Sequence, residues 1–205
     1  MINDTDRPKM YILAGPNGSG KTSALLKQIP KNVIILNADK FSREIAKERL
    51  GIPDDEIQDE VNNSKTLKLA GMRELTARMQ ECIDQRESFA PETTLDTKGY
   101  EKYIESAKSN GFEVELWYVG TKSPKINIDR VARRVSEGGH NIPPKTVADR
   151  YYGSLERLSS YIKLVDRAEI HDNTEEPRHI LSIDHGKIIE KNEPIPDWIQ
   201  KIVAD

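Results

Sequence analysis

The sequence predicts an α/β protein, a mainly parallel sheet flanked by helices. Two observations carry this expectation. Short apolar runs of strand length recur along the chain, bounded by Gly, Pro and Asn. Between them lie stretches whose apolar residues step by three or four, the spacing of a helix face. Strands alternating with helices build a parallel sheet whose connections cross over as helices.

Lys9–Ala14 is an apolar run ending at Gly15, the pattern of a buried strand entering a turn. Thr22–Ile29 reads as a helix stopped by Pro30. Val33–Leu36 is a second buried strand running into Asn37-Ala38-Asp39, with a helix expected from about Phe41 to Leu50 and broken at Gly51-Ile52-Pro53. Asp54-Asp55-Glu56 can start another helix. From Ser64 to Arg86, the positions Leu67, Gly71, Leu75, Met79, Cys82 and Ile83 keep helical spacing, so Cys82 reads as a small core residue rather than a nucleophile. Ser88–Thr93 is a weaker strand, because Pro91 cannot donate to a ladder and belongs at a strand end. Gly99–Asn110 reads as a helix closed by Gly111, and Phe112–Val119 as a strand rich in β-formers. Charged helices over Asn127–Glu137 and from Pro144 to about Ile162 flank Gly138-Gly139-His140. Late strands are expected at Val165–His171, Ile180–Ile183 and Lys187–Glu190, the last two resembling a hairpin across Asp184-His185-Gly186. With no repeat, low-complexity tract or linker, residues 1–205 read as one domain, with its core over 9–174 and a C-terminal hairpin and tail over 177–205.

Composition narrows the function. The 205 residues carry 31 Lys+Arg against 34 Asp+Glu, a net charge of −3, which argues against binding nucleic acid through bulk electrostatics. No apolar run approaches the roughly 18–20 residues of a membrane span. The polar, acid-bearing N-terminus is not a secretory signal, and a single cysteine cannot make an internal disulfide. A cytoplasmic protein with neither membrane nor nucleic-acid partner is expected.

The strongest motif is Gly15-Pro16-Asn17-Gly18-Ser19-Gly20-Lys21-Thr22, a complete G-x-x-x-x-G-K-[ST] loop with an apolar strand before it and a helix after it. Glycines let the backbone turn tightly, so that N–H groups converge on phosphate oxygens. Lys21 supplies a mobile cation for the β- and γ-phosphates of a nucleotide such as ATP, and the Thr22 hydroxyl completes a Mg²⁺ shell. No Asn-Lys-x-Asp guanine reader is present, which argues against a GTPase. Asp39 follows the second strand directly after the first helix, where small P-loop kinases place the acceptor; a carboxylate there can take a hydroxyl proton, and it can also cap a helix.

Taken in order, Gly15–Thr22, Asn37-Ala38-Asp39-Lys40-Phe41, Phe89-Ala90-Pro91-Glu92-Thr93-Thr94-Leu95, Gly111-Phe112-Glu113-Val114, Arg130-Val131 with Arg134-Val135, Gly138-Gly139-His140 with Ile142-Pro143, Arg150-Tyr151 and Asp172-Asn173-Thr174 resemble the zeta-toxin family of small P-loop kinases, over about Tyr11 to Thr174. The resemblance implies a P-loop NTPase fold of nucleoside-kinase-like type with a helical lid. It implies ATP held by Gly15, Pro16, Asn17, Gly18, Ser19, Gly20, Lys21, Thr22 and Ser23, and Mg²⁺ held by Thr22. It further implies Asp39 as general base, Glu92 and Thr94 beside the acceptor, and Arg134 and Arg150 on the transferring phosphate, with Arg130 and Arg133 as close competitors. Family members best known as toxins phosphorylate the 3′ hydroxyl of the sugar in UDP-N-acetylglucosamine and are restrained by an antitoxin, so a nucleotide-sugar acceptor and an antitoxin partner are implied as well. The chain departs from those toxins at Thr93, where they carry Gly, and in its Gly-Gly-His lid.

Chemistry and spacing fit the lid. Arg130 and Arg134 stand four apart on one helix face, and Gly138-Gly139 offers a hinge before Arg150. His140 is read as a cap on the broken helix, and His171, His179 and His185 as structural, since none has metal-ligand spacing. Asp172-Asn173-Thr174 is a turn signal first and resembles a family motif near the adenine pocket. The stretch from Asp54 to Arg86 is expected to shape the acceptor pocket. The rival readings are a nucleoside or polynucleotide kinase and, from another class, a nucleotide-binding partner protein without transfer activity.

Overall fold

The computed structural model describes residues 7–139, 141–200 and 202, so the reading of His140 as a cap and that of the N-terminal stretch through Asp6 lie outside the described residues. Among the described residues, seven strands form one sheet in the order β2-β3-β1-β4-β5-β6-β7. They are β1 (Lys9–Ala14), β2 (Ile34–Leu36), β3 (Phe89–Thr93), β4 (Glu113–Gly120), β5 (Arg167–Asp172), β6 (Arg178–Asp184) and β7 (Lys187–Lys191). The five from β2 to β5 are mutually parallel, as the alternation of strand and helix requires. The C-terminal hairpin β6–β7 extends this sheet antiparallel to β5, so part of the tail is continuous with the core.

Among the described residues, seven helices connect the strands: α1 (Lys21–Leu25), α2 (Ala38–Leu50), α3 (Asp54–Asn63), α4 (Lys65–Gln85), α5 (Glu101–Ser109), α6 (Pro124–Ser136) and α7 (Pro144–Leu164). One face of the sheet, with Met10, Ile12, Leu116 and Ile170, packs on α4, α5 and α7. The opposite face, with Tyr11, Leu13 and Val119, packs on α1. Helices α6 and α7 share a small cluster of their own, Val131, Ile142 and Val147, separate from the sheet core. Cys82 is buried in α4, and burial pushes its thiol up to about 11. Among the described residues no helix is long and apolar enough to cross a membrane.

Three expectations need correction. Helix α1 ends at Leu25 rather than Ile29, because the Gln28 side chain donates to the Ala24 carbonyl and its backbone N–H bonds Leu25 instead. Helix α2 starts at Ala38 rather than Phe41: Asn37 is the cap, its Oδ1 accepting from the Lys40 N–H at 3.0 Å, which leaves Asp39 in the first turn with no capping role. Pro91 lies inside β3 rather than at its end. The pairing with β2 stops at Leu36–Pro91, and the register with β1 passes from Met10–Phe89 to Leu13–Glu92, so the ladder accommodates the missing N–H.

The turn that carries Asp39 is seated by the contact of α2 with α4. A Cβ at Gly71 would lie 2.1 Å from Ser42 Oγ and 2.5 Å from the Ala38 carbonyl, so α4 touches the backbone of the first turn of α2. Gly71→Ala should therefore cost about 1–3 kcal/mol by overpacking and displace that turn. A urea midpoint equal to that of the unsubstituted protein would contradict this contact.

Candidate functional site

Strands β1, β2 and β3 end side by side, and the residues just beyond them line a cleft of about 900 Å³. A smaller pocket of about 320 Å³ opens beside it, and the two share Asn17, Lys21, Asn37, Asp39 and Glu92. Such a crevice, outside the carboxyl ends of parallel strands, is where α/β sheets place ligands.

The glycine loop runs from β1 to α1. Gly15, Gly18 and Gly20 have φ of 140°, 77° and 86°, and side chains there would strike the Val119 carbonyl, the Asn127 carbonyl and the Asn173 amide. Those neighbours clamp the loop from outside: Asn127 Nδ2 donates to the Asn17 carbonyl at 2.8 Å, and Asn173 Nδ2 donates to the Ser19 carbonyl at 2.8 Å. Asn17, Gly18, Gly20, Lys21, Thr22 and Ser23 face the cleft. Gly15 and Pro16 lie beneath it, their carbonyls accepting from Lys21 Nζ at 2.6 and 3.3 Å. Ser19 is also underneath and fully buried, its hydroxyl without a hydrogen-bond partner.

Loss of water around the Lys21 ammonium pulls its pKa down to about 8. Glu92 opposes the shift, Arg134 adds to it, Asp39 opposes and Arg150 adds. All four side chains thus act on one lysine. Glu92 stands one residue before the end of β3, opposite Leu13, and its Oε2 accepts from Asn37 Nδ2 at 2.8 Å, which ties the ends of β2 and β3 together. Asp39 is exposed and lines both the cleft and the pocket. Thr94 lines the pocket, its hydroxyl donating to Asp96 Oδ1 at 2.6 Å.

The arginines divide. Arg133 and Arg134 are exposed on α6 and line the cleft. Arg130, on the same helix face as Arg134, donates Nη1 and Nη2 to the carbonyls of Asn173 and Thr174, at 2.7 and 3.2 Å, and so holds α6 to the end of β5. Arg150 of α7 donates Nη1 to Asn17 Oδ1 at 2.8 Å and lines the smaller pocket. The described histidines, His171, His179 and His185, lie elsewhere. His179 Nε2 is 2.9 Å from Glu169 Oε2, and the adjacent buried His171 is held down to about 4 by burial and by His179. His185 is exposed in the β6–β7 turn.

Asn37, Asp96, Asn127 and Asn173 are site supports that the spacing of the sequence does not single out as such. Asn37, directly before a helix, carries an N-cap signal that could have been read. The other three owe their place to contacts between elements remote in the chain.

The donor set fits a nucleotide triphosphate with Mg²⁺. A backbone cradle that cannot admit a Cβ, a lysine held at its mouth, a threonine hydroxyl and two carboxylates supply cation and hard oxygen donors together.

Comparisons with known proteins bear on the family and the fold. The family model described as Zeta toxin matches residues 2–180. An uncharacterized protein of Haemophilus influenzae is 27% identical over 143 residues, covering 70% of this chain and 92% of that protein. The AvrRxo1-ORF1:-ORF2 complex solved with ATP has a TM-score of 0.70 at 18% identity, covering 96% of this chain. The chain spans only 63% of the length of that structure's matched chain. The PezAT chromosomal toxin-antitoxin system of Streptococcus pneumoniae gives a TM-score of 0.58 at 16% identity, covering 96% of this chain and 77% of that one.

Proposed function

The chain belongs to the zeta toxin family, and on that premise we propose that it is a kinase moving the γ-phosphoryl group of ATP to a hydroxyl of a small molecule. The observation that carries the proposal is the convergence of Lys21, Asp39, Glu92, Arg134 and Arg150 around the glycine loop, Arg134 from the cleft and Arg150 from the adjoining pocket. The acceptor class is a nucleotide-sugar such as UDP-N-acetylglucosamine. It would enter by the pocket where Asp39, Glu92 and Thr94 lie. A protein partner of antitoxin type belongs to the same reading, and the relatives solved as an ORF1:ORF2 complex and as a toxin-antitoxin system support it.

Each residue has its own role. The loop N–H groups and Lys21 orient the phosphates. Asp39 accepts the proton of the acceptor hydroxyl as its oxygen bonds to the γ-phosphorus and the bond to the ADP oxygen breaks. Arg134 and Arg150 neutralise charge spread over the equatorial oxygens. Thr22 would hold Mg²⁺, which would supply positive charge to offset that of the phosphates. Closure of α6 about Gly138-Gly139 would exclude water, so that the acceptor hydroxyl rather than water is the nucleophile.

The direct test offers labelled ATP with a panel of sugar-nucleotides, nucleosides and short oligonucleotides. Label on a sugar-nucleotide supports the reading; label on an oligonucleotide alone moves the assignment to a polynucleotide kinase; label on none refutes transfer.

A pH effect arises from Lys21. Phosphates raise the pKa of a lysine that they contact, so ATP binding should take up about half a proton at pH 8, rising toward one by about pH 9.5. Affinity should correspondingly weaken as pH rises above 8. Titration calorimetry in buffers of different ionisation enthalpy reads the uptake directly, and a null result at pH 8.5 would separate Lys21 from the phosphates.

A further inference from the structure

We propose that Asp96 is a positioning residue whose carboxylate fixes the Arg150 guanidinium between the ATP loop and the acceptor pocket. The inference rests on the kinase reading and adds to it a residue with no recognisable spacing in the sequence.

Arg150 is held from two sides. Its Nη1 donates to Asn17 Oδ1 of the glycine loop at 2.8 Å, and its Nε stands 3.6 Å from Asp96 Oδ2, at ion-pair distance. The first partner belongs to the donor side of the cleft. The second lines the acceptor pocket together with Glu92 and Thr94. A long arginine side chain, 37% exposed and held by only one of these contacts, would sample several rotamers. Two contacts at an angle define one, and a catalytic cation is effective only when already in place.

Asp96 is itself fixed. Thr94 Oγ1 donates to its Oδ1 at 2.6 Å, leaving Oδ2 for Arg150. Its backbone carbonyl accepts from Arg157 Nε at 3.0 Å. At Gly153, a Cβ would sit 3.4 Å from the Asp96 Cβ. Arg150, Gly153 and Arg157 fall three and four apart on α7, so a single helix face addresses this one residue. Tyr161, one turn further on, donates its hydroxyl to the Thr97 carbonyl at 2.8 Å. The preceding Leu95 has φ +60° and its N–H bonds Thr93 Oγ1 at 3.0 Å, a left-handed kink in the loop that presents Asp96 to α7.

This division of contacts makes the proposal separable from a merely structural role. Asp96→Asn removes the charge and keeps the backbone carbonyl that Arg157 uses, so the anchoring of α7 persists. With UDP-N-acetylglucosamine, or whichever acceptor the panel identifies, kcat should fall about 10²-fold while both KM values stay within about threefold. Asp96→Glu should recover part of the loss. Combined with Arg150→Ala, Asp96→Asn should add almost nothing, because both substitutions remove one function.

A second readout needs no substrate. In the Asp96→Asn protein, the Arg150 Nε–H should exchange with solvent faster and shift in the ¹⁵N–¹H spectrum. Unchanged kcat, losses that multiply in the double variant, a parallel rise in acceptor KM, a lowered melting temperature with normal kcat, or an unchanged Nε–H signal would each overturn the proposal. If the unsubstituted protein transfers phosphate to nothing, the kinase reading fails and the catalytic role of Asp96 with it; the Nε–H comparison then still decides whether Asp96 fixes Arg150.

Discussion

Lys21→Ala should abolish phosphoryl transfer, by about 10³-fold or more, without unfolding the protein. The magnitude reflects removal of the cation that meets the charge developing on the moving phosphoryl group. Survival of the fold is implied by the sign of the Lys21 shift. A lysine whose folded pKa is lowered to about 8 is disfavoured as a cation by the fold. That cost is present in full below about pH 8, and stability recovers as pH rises from there toward the unfolded lysine value. Removing the ammonium forfeits the contacts to the Gly15 and Pro16 carbonyls and the attraction of Glu92 and Asp39, which the loss of water around the cation already outweighs. At pH 7 the melting temperature of the variant should match or exceed that of the unsubstituted protein while ATP labelling of acceptor disappears. A variant that retained turnover would remove the glycine loop from the reaction.

Asp39→Asn should lower kcat by about 10²–10⁴-fold, the range of a general base, with little change in ATP affinity. The amide keeps the size and polarity of the side chain and cannot take the acceptor proton. Because Asn37 rather than Asp39 caps α2, the substitution leaves the helix start intact, so the loss would not come from local unfolding. Pre-steady-state transfer under saturating ATP isolates the chemical step. If its rate were unchanged, Glu92, which lines the same pocket, would be the residue to test as proton acceptor.

What the sequence made legible was set by local physics. Lys9–Ala14, the glycine loop and Phe112–Val119 owe their form to apolar runs and to glycine stereochemistry, and each lies within one residue of where its pattern predicts. The side chains at the cleft were likewise named by type and order: Lys21, Asp39, Glu92, Arg134 and Arg150 do converge. Contacts that only the folded chain creates were not legible. Arg130 and Arg134 share a helix face, yet Arg130 gives two N–H groups to carbonyls at the end of β5, and nothing in Arg-Val-x-x-Arg announces that. Asp96 meets α7 only because Leu95 turns the chain and because β3 and α7 are brought together by the sheet. Pro91 misled in the opposite direction. A proline argues for a strand end, but the ladder to β1 passes over Ala90 and Pro91 and resumes at Glu92.

The lone thiol of Cys82, enclosed by the sheet and α4, offers a practical consequence. A maleimide or disulfide dye can reach that sulfur only when the surrounding core opens, so its rate of labelling counts opening events without any engineered probe. Substitutions at Lys21, Asp39, Gly71, Asp96 and Arg150 all keep that cysteine. A single chemical clock can then rank the variants for structural integrity, in the same tube and buffer as the enzymatic assay.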